Sequence, residues 1–276
     1  MSALLEVENL AKDYHYRSGL FHRRVIQAVK PLSFSLNAGE TIALIGENGS
    51  GKSTLAKMLN GMVDPSSGSI KVNGERLHPK DYSTRCKLIR MIFQDPNTSL
   101  NPRLRIGQIL EGPLKRNTNM SPHDRERRIA ATLKRVGLLE EHAYFYPQML
   151  ATGQKQRINL ARALILQPCI IVADEAFNGL DMSIRSQILN LLLELQEEMG
   201  LAYVYVSQHL GSVKHISDKV LVMQNGHVVE QGETRDIFAN PQHKLTQKLI
   251  QSHFSPPTRD NKKQIRRDMY TPKIEI

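Results

Sequence analysis

Short apolar runs alternate along this chain with stretches of helical spacing. Residues 4–9 and 25–36 read as strands, and Ser33-Phe34-Ser35-Leu36 alternates with period two. The segment between them, YHYRSGLFHRR, reads as a long basic hairpin loop. Thr41 to Ile45 is a short apolar strand that runs into a glycine-rich loop, and from Lys52 to about Gly61 the spacing is helical. Strand-like segments return at Ile70–Val72 and Ile89–Phe93.

The pattern changes over about 100–165, where a helical block is predicted. Ser121-Pro122 is a helix start, with Ser as N-cap and Pro at the first helical position. Ile129, Leu133 and Val136 then fall on one face. A buried strand follows at Ile170–Ala173, then a helix over about Ser183–Met199 and a strand at Tyr203–Val206. Two short strands flank Asn225-Gly226. Strand–helix alternation on both sides of a helical block predicts an α/β core with a helical subdomain.

A few totals narrow the picture. With 276 residues, the chain is long enough for one large domain with a real core. No run of about 18 apolar residues is present, and MSALLEVENL lacks a signal-peptide layout, so the chain is expected to stay where it is made. Cys86 and Cys169, its two cysteines, lie far apart and read as small buried hydrophobes. The formal charge of +10 fits nucleic acid, an anionic membrane face or phosphate ligands. Part of it sits in residues 254–276, which read as a basic flexible tail, serving either solubility or a membrane surface.

The chemistry is concentrated in two places. Gly46-Glu47-Asn48-Gly49-Ser50-Gly51-Lys52-Ser53-Thr54 fits G-x-x-x-x-G-K-[ST], with a strand before it and a helix after it. Gly49 and Gly51 let the backbone bend so that N–H groups face one anion, and the helix N-terminus adds its dipole. Lys52 then meets the β/γ-phosphates of a nucleotide, and the Ser53 hydroxyl is a ligand for Mg²⁺. Downstream, the strand Ile170–Ala173 ends in Asp174-Glu175. Asp174 is expected to hold Mg²⁺ through a water, and Glu175 to orient or deprotonate the attacking water.

Five marks in order give a family resemblance that runs to about residue 253. After the phosphate loop come Gln94 in MIFQDP, LATGQ at 150–154, Asp174-Glu175, NGLD ending in Asp181, and SQH ending in His209. The chain resembles the ATP-binding subunits of ABC transporters. FQDPNTSLNPR, IGQILEGPL and NPQHKLTQKLI are similar to the oligopeptide and dipeptide permease branch, and most of all to its Sap-type antimicrobial-peptide uptake ATPases. The resemblance implies an ABC-type nucleotide-binding domain over 1–253, with an N-terminal antiparallel β subdomain and a helical subdomain inserted at about 95–165.

The same resemblance assigns roles. Gln94 reaches Mg²⁺ or the attacking water and links the site to the membrane subunit. His209 hydrogen-bonds the γ-phosphate, and Asp181 belongs to the D-loop. An aromatic near the N-terminus stacks on adenine; Tyr14 is the choice, with Tyr16 close behind. Leu150, Ala151, Thr152, Gly153 and Gln154 stand where the family has LSGGQ, which serves the ATP of an opposing subunit. Ala151 lacks the usual hydroxyl, and Thr152 adds a side chain where glycine permits close approach. A second, non-identical ATPase as partner follows, with two membrane permeases and a periplasmic substrate-binding protein. The expected place is the cytoplasmic face of the inner membrane, held peripherally, and no nucleic acid partner is implied. The competing reading is a soluble ABC ATPase of DNA repair or translation. Against it, the span from Lys52 to Asp174 has no sustained heptads, and the chain holds one phosphate loop.

Overall fold

Thr41 to Gly46 is buried at every position, because this strand has packing on both faces of its sheet. The computed structural model describes residues 3–17, 23–93 and 99–254. In chain order the strands are β1 (Leu5–Arg17), β2 (Arg23–Leu36), β3 (Thr41–Gly46), β4 (Ser67–Val72), β5 (Glu75–Arg76), β6 (Ile89–Ile92), β7 (Ile170–Asp174), β8 (Ala202–Val206), β9 (Lys219–Gln224) and β10 (His227–Glu233). The helices are α1 (Lys52–Asn60), α2 (Tyr82–Leu88), α3 (Ile106–Asn117), α4 (Pro122–Arg135), α5 (Thr152–Leu164), α6 (Met182–Met199), α7 (Leu210–Ile216), α8 (Thr234–Ala239) and α9 (Lys244–Phe254).

Two sheets form. The larger has order β10-β9-β3-β8-β7-β6 and is parallel except for β10, which joins β9 through the Asn225-Gly226 hairpin. Both turn residues have positive φ, 49° and 81°, as a type I′ turn demands. The smaller sheet, β2-β1-β4-β5, is antiparallel. Between the two sheets lies α1, burying Leu55, Ala56, Met58 and Leu59. A buried Leu of this kind contributes about 1.5–3 kcal/mol. The other face of the large sheet is covered by α5, α6 and the helical block, which share one apolar cluster.

The helical block starts as the sequence dictates. Ser121 Oγ accepts from Asp124 N at 3.2 Å, Pro122 stands in the first turn, and Ile129, Leu133 and Val136 are buried. One expectation changes. The basic loop from Tyr14 is in large part strand: β1 runs on to Arg17 and β2 begins at Arg23, with Tyr14 opposite Ile26 and Tyr16 opposite Arg24. Tyrosines and β-branched residues on facing strands extend the ladder past the charged positions. The cysteines differ as well. Cys169 is partly buried against the core between the sheets, and Cys86 is partly exposed, its Sγ donating to Asn117 at 3.1 Å.

Candidate functional site

The phosphate loop joins the C-terminal end of β3 to α1, at the place where β3 has β8 on one side and β9 on the other. Open α/β sheets gather their ligands at such crevices. Gly46, Gly49 and Gly51 all have positive φ, at 145°, 77° and 104°. Their reasons differ. A Cβ at Gly46 would lie 2.1 Å from the Met223 carbonyl oxygen, and one at Gly51 would lie 2.4 Å from that of Ala28. At Gly49 a Cβ meets nothing within 4 Å, so only its backbone conformation asks for glycine. Sequence reasoning named Gly49 and Gly51; the most crowded position, Gly46, is set by a strand 177 residues downstream.

Lys52 is 4% exposed. Its Nζ donates to the Gly46 and Glu47 carbonyls at 2.9 and 2.8 Å and to Ser50 Oγ at 3.3 Å. Burial pulls the Lys52 ammonium below its ordinary range, opposed by the charges of Glu175 and Asp174. Ser53 Oγ donates to Asp174 Oδ1 at 3.0 Å, joining the loop to the end of β7. Burial raises the Asp174 carboxyl, and the Ser53 hydrogen bond opposes it. Glu175 follows with φ 50°, a left-handed conformation uncommon outside glycine and asparagine. Its N–H donates to the Val206 carbonyl at 3.0 Å, which turns the carboxylate out of the sheet and towards the loop.

A cleft of about 650 Å³ lies over this group. Residues 48–54 line it, with Glu175, the Asn225-Gly226 turn and the stretch of β2 from Val25 to Ala28. The loop, Lys52, Ser53 and Glu175 thus meet at one place, with Asp174 behind Ser53. Val25 and Ile26, both half exposed, form an apolar ledge that sequence reasoning did not single out. Tyr14 lies opposite Ile26 on β1, beside the cleft and not among its lining residues; Lys12 Nζ sits 5.2 Å from its ring centre. Gln94 lies outside the described residues.

His209 is not brought into the cleft. Its Nδ1 accepts from Ser212 N at 3.3 Å, capping α7. Its ring packs edge-on against His253 at 4.9 Å and faces a separate cavity with Met182 and Arg185. Burial lowers the His209 pKa, aided by the charges of Arg185 and His253. The residue before it faces the other way: Gln208 Nε2 donates to Glu175 Oε1 and to Asn48 Oδ1, both at 2.8 Å.

The LATGQ segment lies apart from the cleft, at the start of α5. Leu150 is buried, Ala151 and Thr152 are exposed, and Ala151 gives its helix no side-chain cap. Gln154 Oε1 accepts the Ala151 N–H at 3.0 Å instead. A Cβ at Gly153 would lie 3.1 Å from Ile184, in the first turn of α6. Asp181 caps that helix, accepting from Ile184 N at 2.9 Å, and Arg185 donates to the carbonyls of Phe177, Asn178 and Leu180. Fully buried Gln156 donates to the Ala176 carbonyl at 2.6 Å, fastening α5 to the loop that follows Glu175.

A phosphate loop feeding α1, a carboxylate pair at the end of β7 and a helical block carrying its own glycine-bearing helix start together define a nucleotide-binding domain of the ATP-binding cassette class. The sequence pattern of the family described as ABC transporter matches residues 29–178, and the chain belongs to that family. It is 59% identical over 254 residues, 92% of this chain and 95% of the other, to the putrescine export system ATP-binding protein SapF of Escherichia coli (strain K12). The same identity and coverage hold for the peptide transport system ATP-binding protein SapF of Salmonella typhimurium (strain LT2). The dipeptide transport ATP-binding protein DppF of Haemophilus influenzae is 43% identical over 251 residues, 90% of this chain and 77% of the other. Among solved structures, CbiO1 from Clostridium perfringens, part of the ABC transporter complex CbiONQ, superposes with TM-score 0.75 at 28% identity, covering 98% of this chain and all of the other. The ATP-binding cassette MJ0796, in a dimeric post-hydrolysis state bound to ADP and Pi, does so with TM-score 0.73 at 28% identity, over 84% and 99%.

Proposed function

We propose that the chain is the ATP-hydrolysing subunit of an ABC importer for peptides at the bacterial inner membrane. One observation carries the catalytic part: Lys52, the Ser53–Asp174 pair and Glu175 converge on a single loop-lined cleft. Residues 1–253 form the ATPase domain, with the helical block inserted at about 95–165. The loop N–H groups and Lys52 hold the phosphates, Lys52 exchanging its loop carbonyls for phosphate oxygens. The apolar ledge of Val25 and Ile26, with Tyr14 beside it, receives the base.

Ser53 and Asp174 present two hard oxygens at the loop, a donor set that suits Mg²⁺, which keeps several waters and needs few protein ligands. Bound there, Mg²⁺ supplies charge that offsets the negative charge on the phosphate oxygens. Glu175 orients the attacking water and accepts its proton. Gln94 contributes to the same centre from the segment after β6. Residues 150–154 and Asp181 serve the ATP of an opposing ATPase, and their distance from this chain's own cleft supports that arrangement. The partner is a second, non-identical ATPase. Two permeases hold the pair at the membrane, and a periplasmic binding protein delivers substrate. Among the described residues no helix is long and apolar enough to cross a membrane, which fits peripheral attachment through those permeases.

Relatives at 59% identity bear two names, one of peptide transport and one of putrescine export, so the second reading is polyamine efflux. Reconstitution of the purified transporter in vesicles separates them. Peptide should be moved in an ATP-dependent manner that Lys52→Ala abolishes. Movement of putrescine alone would establish the second reading.

A further inference from the structure

We infer that Gln156, in the interior of α5, is a positioning residue for Glu175. The inference rests on the ATPase reading above. Gln156 is fully buried, and both ends of its amide are bound: Nε2 donates to the Ala176 carbonyl at 2.6 Å, and Oε1 accepts from Asn159 Nδ2 at 3.5 Å. Asn159, one turn further on and also buried, accepts from Ser99 Oγ at 2.7 Å. Arg162, a turn beyond that, donates to the Ser99 carbonyl. Residues 156, 159 and 162 thus lay a polar line along a helix whose other buried side chains are apolar. A buried amide costs free energy unless it is hydrogen-bonded, so packing alone would be served as well by an apolar side chain. What the amide adds is direction.

That direction matters because of the backbone at Glu175. Its φ of 50° is left-handed, a conformation that a residue with a side chain keeps only where the surroundings fix it from more than one side. On the near side β8 does so, through the Glu175 N–H and the Val206 carbonyl at 3.0 Å. On the far side α5 does so, through Gln156 and the carbonyl of the very next residue. Further along, Arg185 of α6 takes the carbonyls of Phe177, Asn178 and Leu180. Gln208 and Asn178 bind the Glu175 carboxylate itself; Gln156 fixes the backbone from which the carboxylate hangs. Release of the Ala176 carbonyl would let Glu175 relax towards the commoner right-handed region and swing its carboxylate away from the phosphate loop. Asn159 completes the device: by donating to Oε1 it sets which end of the Gln156 amide faces Ala176.

Kinetics of the full chain assembled with its transporter partners test the inference. Wild-type hydrolysis is established first; its absence would count against the ATPase reading and not against this one. Gln156→Met, close in shape but without a donor, should lower kcat about ten-fold or more while the Kd for ATP is retained. In a Glu175→Gln background the same change should add no further loss of kcat, because its effect passes through the carboxylate. Its shift of the urea midpoint should be the same in both backgrounds, which separates positioning from stability. Gln156→Glu supplies a conditional rescue. Its carboxyl, raised by burial, donates to the Ala176 carbonyl while protonated and repels it once ionised. Relative to wild type at the same pH, its kcat should be near native at about pH 6 and fall towards the Gln156→Met level by about pH 9. Should Gln156→Met not fold, this pH series carries the test. A native kcat for folded Gln156→Met, an equal fold loss with and without Glu175→Gln, or a relative kcat of Gln156→Glu that does not change with pH would each overturn the assignment.

Discussion

Glycines in the phosphate loop are not interchangeable, and their differences are measurable. At Gly46 a methyl group would meet the Met223 carbonyl of β9, which is held in the sheet and cannot yield cheaply. Gly46→Ala should cost about 3 kcal/mol or more, from overpacking added to backbone strain. At Gly49 a methyl group meets open space, and only the left-handed backbone resists, so Gly49→Ala should cost about 1–2 kcal/mol. Urea unfolding of the two variants reads the difference directly; equal losses would mean that contact with β9 plays no part. The loop and Asp174-Glu175 were readable in advance because a strand, a loop and a helix in immediate succession place them. The Gly46 contact was not, since it depends on β9. Nor were the opposite directions of the Gln208 and His209 side chains, where a single step along the backbone reverses the side chain and no spacing rule records it.

Elements read from local pattern alone came through where their partners were adjacent. The face made by Ile129 and Leu133 of α4 with Val136 just past its end is buried, and the Asn225-Gly226 hairpin joins β9 to β10. The β1–β2 hairpin ran longer than expected because its charged positions occupy a ladder whose facing tyrosines and aliphatics supply the pairing energy. The last helix shows how a single polar group fixes an element. Glu230 on β10 accepts from Gln242 N at 2.7 Å, from His243 N at 3.0 Å, and from the Thr246 hydroxyl at the start of α9. Burial alone would raise its pKa, but the Thr246, Gln242 and His243 hydrogen bonds outweigh it and hold it below the usual 4.5. A depressed folded pKa adds stability above the unfolded value and loses it as pH falls through the folded one. The stability advantage of wild type over Glu230→Gln should therefore be full at pH 6 and shrink steadily below about pH 4.5, as followed by urea midpoints. A difference independent of pH would remove the charge from the explanation.

In the proposed assembly, the LATGQ segment faces the ATP of the partner ATPase. Ala151 brings no hydroxyl to the N-terminus of α5, and Gln154 closes the first turn in its place. Loss of one pre-organised donor costs about 3–4 kcal/mol in transition-state stabilisation. In a pair of two different ATPases, only the site that faces Ala151 and Thr152 bears that cost. Lys52→Ala in this chain should then damage hydrolysis by the mixed complex more than the matching change in the partner. Restoring Ala151→Ser with Thr152→Gly should speed the isolated chain far more than the complex. Equal damage from both lysine changes, with brisk hydrolysis by this chain alone, would mean that Thr152 supplies the missing hydroxyl.

Hydrolysis at the cleft between the phosphate loop and β7 stands beneath all of these expectations, and Glu175→Gln probes it most directly. The substitution keeps the shape and an acceptor for one of the two amides that donate to it, Gln208 or Asn178, yet removes the group proposed to accept the water's proton. Purified complex carrying it should bind ATP as tightly as wild type and retain it unhydrolysed, with turnover down by about two orders of magnitude or more. Hydrolysis by Glu175→Gln at the wild-type rate would show that the reaction does not take place through this carboxylate.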